Sequence, residues 1–181
     1  MIDGTYLTDI RRTFRNYRTL AERALAQTSD GHLFTAIDAD ANSVAVVMQH
    51  IAGNLRSRFQ EFLTSDGEKP DRDRDAEFEP QPLSRGELVD RWNAAWEIVL
   101  SELDRLSPAD LERTIRIRNE PFAVVEALNR SAAHTAYHVG QIVFLAKHFA
   151  GANWTSLSIP KGQSKAHSQG SFKQSFIPSR N

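Results

Sequence analysis

The chain has 181 residues, with 22 basic against 23 acidic side chains and a net charge of −1. This length suits one domain with a single sizeable core, and a near-neutral balance with scattered basic residues excludes the electrostatic footprint of a nucleic-acid binder. There is no cysteine, which excludes disulfides, cysteine-based zinc ribbons and a protein-borne thiol nucleophile. Any thiol chemistry must therefore bring its thiol on a second substrate.

Met1 to Tyr6 lacks the basic start and apolar block of a secretory signal, and no window approaches ~18 consecutive apolar residues. The expectation is a cytoplasmic protein with no membrane partner. Thr5 to Gln27 reads as a first helix, with Tyr6, Leu7, Ile10, Phe14, Tyr17, Leu20, Ala21, Ala24 and Leu25 recurring at three and four. Its arginines Arg11, Arg12, Arg15 and Arg18 read as a solvated face or an interface. Thr28 to His32 is a break, and Leu33 to Ile37 is ambiguous. Asp38 to Asn42 offers N-cap residues for a second helix, from about Ser43 to Leu63. Its apolar stripe is Val44, Val47, Ile51, Leu55, Phe59 and Phe62. His50 lies in it, with Asn54 one turn later. Gly53 costs a helix about 1 kcal/mol against Ala and marks a close approach of another helix or of a ligand.

From Thr64 to Pro82 periodicity stops, and a long charged loop separates the second and third helices. On composition alone it is a solvated connection. Ser84 and Glu87 form a capping box that opens a third helix, to about Leu106, with Leu88, Trp92, Ala95, Trp96, Val99, Leu100 and Leu103 inward. Ser107 to Asp110 fits a turn or a short helical piece. Glu112 to Asn119 alternates like a short extended segment, although one strand makes no sheet. Pro121 suits the first turn of a fourth helix, which runs to about Phe149 and stops at Gly151. Trp154, Leu157 and Ile159 are expected to pin the start of a Ser-, Gly- and Gln-rich tail. The reading is an all-α four-helix bundle over residues 1–160, followed by a partly ordered C-terminal tail over 161–181 that is mobile or docked on a partner.

His134 and His138 stand four residues apart in the fourth helix, so both imidazoles leave one face, roughly 6 Å apart along the axis. One helix gives two nitrogen ligands to a metal at this spacing. His50, on another amphipathic helix, is the natural third, because facing helices of a bundle pool their ligands. Three imidazoles suit zinc, nickel or iron(II), and three protein ligands leave positions open for a substrate atom. His148 points within about 40° of His134 but lies roughly 21 Å further along the axis, which excludes it. Asn54, Arg130 and Gln141 share the faces of the histidines. Gln141 is placed to hydrogen-bond a ligand or a water, and Arg130 to hold an anionic group. Against this stands the plain alternative: the H-x-x-x-H spacing arises by chance, and a helical histidine is ordinarily a surface or core residue.

Three stretches carry a wider likeness: His50-Ile-Ala-Gly-Asn-Leu-Arg-Ser-Arg-Phe59; Thr64-Ser-Asp-Gly-Glu-Lys-Pro70 with Arg72-Asp73 through Phe78; and Tyr137-His-Val-Gly-Gln-Ile-Val-Phe-Leu-Ala-Lys147 followed by Trp154 to Pro160. Together they resemble an uncharacterised branch of the DinB-like superfamily of metal-binding four-helix bundles. The resemblance implies an up-down-down-up bundle, often a homodimer, with a divalent metal on His50, His134 and His138. It also gives the 66–78 loop a role at the mouth of the site. Better-understood relatives are transferases and isomerases that use mycothiol, bacillithiol or glutathione. The expected function is a metal-dependent enzyme, a low-molecular-weight-thiol S-transferase acting on a small electrophile, with Arg130 or a loop residue holding an anionic cosubstrate. The alternatives are a metal-dependent hydrolase, disfavoured because no Asp or Glu flanks the histidine pair, and a non-catalytic, stress-related metal-binding bundle.

Overall fold

The structure, a computed structural model, describes residues 2–167 and is mostly helical. Helices α1 (Ile2–Leu25), α3 (Val44–Phe59), α4 (Arg85–Arg105) and α5 (Val124–Ala150) are long; α2 (Asp30–Leu33) and α6 (Ser164–His167) are single turns. Strands β1 (Thr114–Ile117) and β2 (Glu120–Ala123) pair antiparallel between α4 and α5. The tail read over 161–181 is described only to His167; residues 168–181 lie outside the described residues.

Helices α2, α3 and α4 each start at a serine cap. Ser84 and Glu87 make the reciprocal capping box that opens α4. For α3 the cap is Ser43 rather than a residue of the 38–42 stretch, its Oγ accepting from the Val46 N–H at 3.2 Å. The helix also ends earlier than the apolar stripe implies. Gln60 leaves helical geometry and Glu61 takes a φ of 54°, which folds Phe62 back to stack on Phe59 at 5.1 Å. The stretch read as a break after α1 holds the short helix α2, capped by Ser29.

The expectation of a purely α chain is corrected at residues 114–123. Pro121 does not start a helix; it sits in β2 opposite Arg116, where a residue without an N–H is tolerated on a two-stranded edge. Arg118 and Asn119 connect the strands with φ of 57° and 65°, the left-handed pair that a tight two-residue hairpin loop requires. A lone hairpin is unstable in water. This one survives because Ile115 and Ile117 are buried in the core and the Gly67 N–H donates to the Arg116 carbonyl at 2.8 Å.

The long helices pack in a closed circuit: α1 against α5 and α4, and α3 against α4 and α5. Phe14 meets Phe59 edge-on at 5.6 Å and Trp96 at 6.3 Å, tying α1, α3 and α4 at the centre. The α1 arginines bind α4: Arg11 donates to the Leu103 carbonyl at 2.9 Å, Arg15 pairs with Asp104 at 2.8 Å and Arg18 with Glu97 at 2.7 Å. Trp154 and Leu157 pack against the core from beyond α5. Among the described residues no helix is long and apolar enough to cross a membrane. For function, the consequence is that the middle of α3 faces the middle of α5.

Candidate metal centre

His50 projects from α3, and His134 and His138 project from α5. Their candidate ligand nitrogens all lie within 4.8 Å of one another. The Nε2 atoms of His50 and His134 are 3.3 Å apart. Two nitrogens each about 2.0–2.1 Å from one tetrahedral ion sit about 3.3 Å apart, so this spacing fits a shared cation. Ring centroids are 4.6 Å apart for His50 and His138, and 4.5 Å for His134 and His138. The three histidines could hold a metal ion.

The far nitrogens of two rings are already committed, which selects the ligand atoms. His138 Nδ1 donates to Gln141 Oε1 at 2.8 Å, so Gln141 orients a histidine rather than reaching into the site itself. His50 Nδ1 donates to Glu77 Oε2 at 2.9 Å. In each case the hydrogen bond fixes the tautomer and leaves the Nε2 lone pair turned toward the cluster. Burial lowers the pKa of His138 against the opposing hydrogen bond of Gln141. For His134, burial, the neighbouring His138 and His50, and the guanidinium groups of Arg58 and Arg72 push the pKa down to about 4. Both rings are therefore neutral near pH 7, the protonation state a ligand needs.

Glu77 was not found by reading the sequence. It is buried, and its oxygens are fully engaged: Arg72 Nε donates to Oε1 at 2.7 Å, and Arg72 Nη2 to Oε2 at 2.8 Å. Burial pushes the Glu77 carboxyl up, but Arg72 and His50 outweigh this and hold it below the ordinary carboxylate range. Gly53 explains how Glu77 fits: a Cβ at this position would overlap the Glu77 carboxylate. The mid-helix glycine marks a close approach, but by the Glu77 side chain of the segment before α4 rather than by another helix or a ligand. Phe78 follows, its ring tilted against His50 at 4.4 Å.

The segment between α3 and α4 is consequently a built part of the site. Ser57 Oγ donates to the Gly67 carbonyl at 2.9 Å and accepts from the Lys69 N–H at 3.1 Å. Asp66 accepts from the backbone N–H of Arg118 at 2.8 Å and of Asn119 at 2.7 Å, fastening the hairpin turn. Glu68 gathers Arg58, Arg72 and Arg118.

A cavity of about 230 Å³ opens beside His50 and His134, lined also by Asn54, Ser131 and Arg130. Asn54 and Arg130, both expected near the site, are thus brought to it. A cavity of about 440 Å³ on the other side of Glu77 holds none of the three histidines. His32 stacks on Phe149 at 4.8 Å and His148 meets the same ring, away from the cluster.

A search among curated proteins finds no match. The family model for proteins of unknown function, DUF1572, matches residues 2–163, a span that contains every side chain of the histidine cluster, its supports and its cavity. The chain belongs to the DUF1572 family.

Proposed function

We propose that this protein is a metal-dependent enzyme built on a DinB-like four-helix bundle. In this reading His50, His134 and His138 hold one divalent cation (zinc, nickel or iron), and the reaction is transfer of a low-molecular-weight thiol to a small electrophile. The observation that carries the reading is the convergence of three ring nitrogens from two helices, with the Nε2 atoms of His50 and His134 3.3 Å apart. Bound there, the cation would act as a Lewis acid that lowers the pKa of a cosubstrate thiol, so that thiolate forms near neutral pH.

The residues of the chain do the rest. Glu77 and Gln141 hold His50 and His138 in the ligating tautomer. Phe78 packs its ring against His50. The adjoining cavity leaves room for a substrate, which argues for a working site rather than a purely structural one. Hydrolysis is the weaker reading, since it needs a carboxylate free to accept a proton from water. The carboxylate that reaches the cluster, Glu77, lies behind His50, with Arg72 on both oxygens.

The test is elemental analysis of the purified protein, followed by assays of electrophile consumption with a panel of low-molecular-weight thiols. The expected result is about one divalent ion per chain and thiol-dependent turnover, both lost in His138→Ala. Turnover that persists after His138→Ala has removed the ion, or ester hydrolysis without added thiol, would reject the transferase reading.

A further inference from the structure

Among the described residues, the cavity beside the histidines is lined by five arginines, Arg58, Arg72, Arg74, Arg118 and Arg130, and by no carboxylate. Their states differ. Arg58, Arg72 and Arg118 share Glu68 behind the wall, and Arg72 also grips Glu77. These three are tied to two carboxylates, Glu68 and Glu77. Arg130 has no carboxylate partner among the described residues; its guanidinium lies over the Phe122 ring at 5.7 Å. Arg74 lies over Phe78 at 5.1 Å, with Asp75 at 3.6 Å and half its side chain open to solvent. A guanidinium resting on an aromatic face is held by cation–π attraction while its N–H edge stays free for a planar or tetrahedral anion. Two such heads, one from α5 and one from the loop before α4, border one cavity.

A second observation is independent of charge. Ser131 lines the same cavity and is nine-tenths buried, and its Oγ has no hydrogen-bond partner. A buried hydroxyl in that state is an unmet hydrogen-bonding group in the cavity wall. Arg130 and Ser131 lie on the α5 turn just before His134, and Phe78 touches both Arg74 and His50. An anion on these groups would therefore have its far end at the histidine cluster.

We propose that Arg130 and Arg74, with the Ser131 hydroxyl, form an anion subsite that binds a carboxylate or phosphate group of the small-molecule substrate and aims the remainder of that molecule at His50, His134 and His138. This deepens the reading of the histidine site and rests on it only for what happens at the reactive end. The small cavity and its shortage of free anions favour a compact, negatively charged metabolite over a neutral one.

The test uses the full chain after treatment with a chelator, so that it does not depend on a metal. Succinate and inorganic phosphate are titrated by calorimetry at constant ionic strength set with chloride. Wild type should bind at least one probe saturably, and the tighter probe identifies carboxylate or phosphate as the preferred group. Arg130→Gln and Arg74→Gln should each weaken binding about tenfold or more, whereas Arg113→Gln, whose side chain pairs with Asp110 outside the cavity, should not. Thermal unfolding of each variant confirms that it is folded. Absence of saturable binding, or equal affinity in wild type and both cavity variants, overturns the subsite. His138→Ala separates the two readings: it should lose metal and retain anion binding. Metal retention without anion binding in wild type removes the subsite alone, and anion binding in a protein that never holds metal removes the metal reading alone.

Discussion

Three histidines converge, and the residue that fixes the orientation of His50 among them is Glu77. It holds His50 Nδ1 and is itself clamped by Arg72, whose side chain is 3% exposed. Glu77→Gln keeps the shape and loses the charge. It should leave the protein folded and weaken metal binding about 10–100-fold, measured by competition with a chromogenic chelator. Glu77→Ala goes further and leaves the buried Arg72 guanidinium with Glu68 alone, so a loss of about 3 kcal/mol in chemical denaturation is expected. Gly53→Ala offers a contrary test. Helix propensity alone predicts a gain of about 1 kcal/mol, yet the added methyl would displace Glu77, so metal affinity should fall even if stability does not. The pH dependence follows from His134, whose pKa drops to about 4 in the folded chain from an ordinary 6.5. Between these values the unfolded chain binds the extra proton and the folded chain does not, so stability falls as pH drops through that window. In the presence of chelator, the melting temperature of wild type should decline more steeply from pH 7 to pH 5 than that of His134→Gln. His50, His134 and His138 were legible because helical spacing projects them predictably. Glu77 was not, because it approaches from an aperiodic segment, and the trace it left in the sequence was Gly53.

At the scale of elements, the segment from Gln60 to Leu83 behaves as a clasp rather than a solvated connection. Its charges look alternating and soluble on paper, but Asp66, Glu68, Arg72 and Glu77 each have an assigned partner in α3, the hairpin or the segment itself. Burial pushes the Asp66 pKa up, but the N–H groups of Glu68, Asn119 and Arg118 together outweigh this and hold it below the ordinary carboxylate range. Asp66→Ala should therefore cost about 1–2 kcal/mol and speed hydrogen exchange at Arg118 and Asn119 before it affects the helix amides. The long helices could be read from apolar periodicity and caps, to within a few residues at their ends. The hairpin could not, because Pro121 imitates a helix start and β2 has no alternation of its own; its stability comes from Gly67 and from the buried faces of Ile115 and Ile117.

Across the whole molecule, the candidate centre ties α3 to α5, two sides of the helix circuit. An ion that binds the folded chain and not the unfolded one at about 100 times its Kd adds about 2.7 kcal/mol, which for a chain of this size is about 5–10 °C in Tm. Chelation should lower Tm by that amount in wild type and by nothing in His134→Ala. The resemblance implies a homodimer, and we propose for it the face of α5 on which Tyr137 and Phe144, seven residues apart, are 64% and 62% exposed. If that face is used, Tyr137→Lys combined with Phe144→Lys should sediment as a monomer where wild type sediments as a dimer.

Glu68 carries a consequence for how this sequence can change. One carboxylate serves Arg58 in α3, Arg72 behind His50 and Arg118 at the hairpin turn. Replacing any one arginine alters how strongly the other two are held, so their substitutions will not add. Arg118, exposed and far from His50 in sequence, is therefore not free to drift: what it tolerates depends on the state of Arg72. The histidine site is inherited together with a charge network that reaches the surface, and epistasis between these positions is the mark it should leave on variants of this chain.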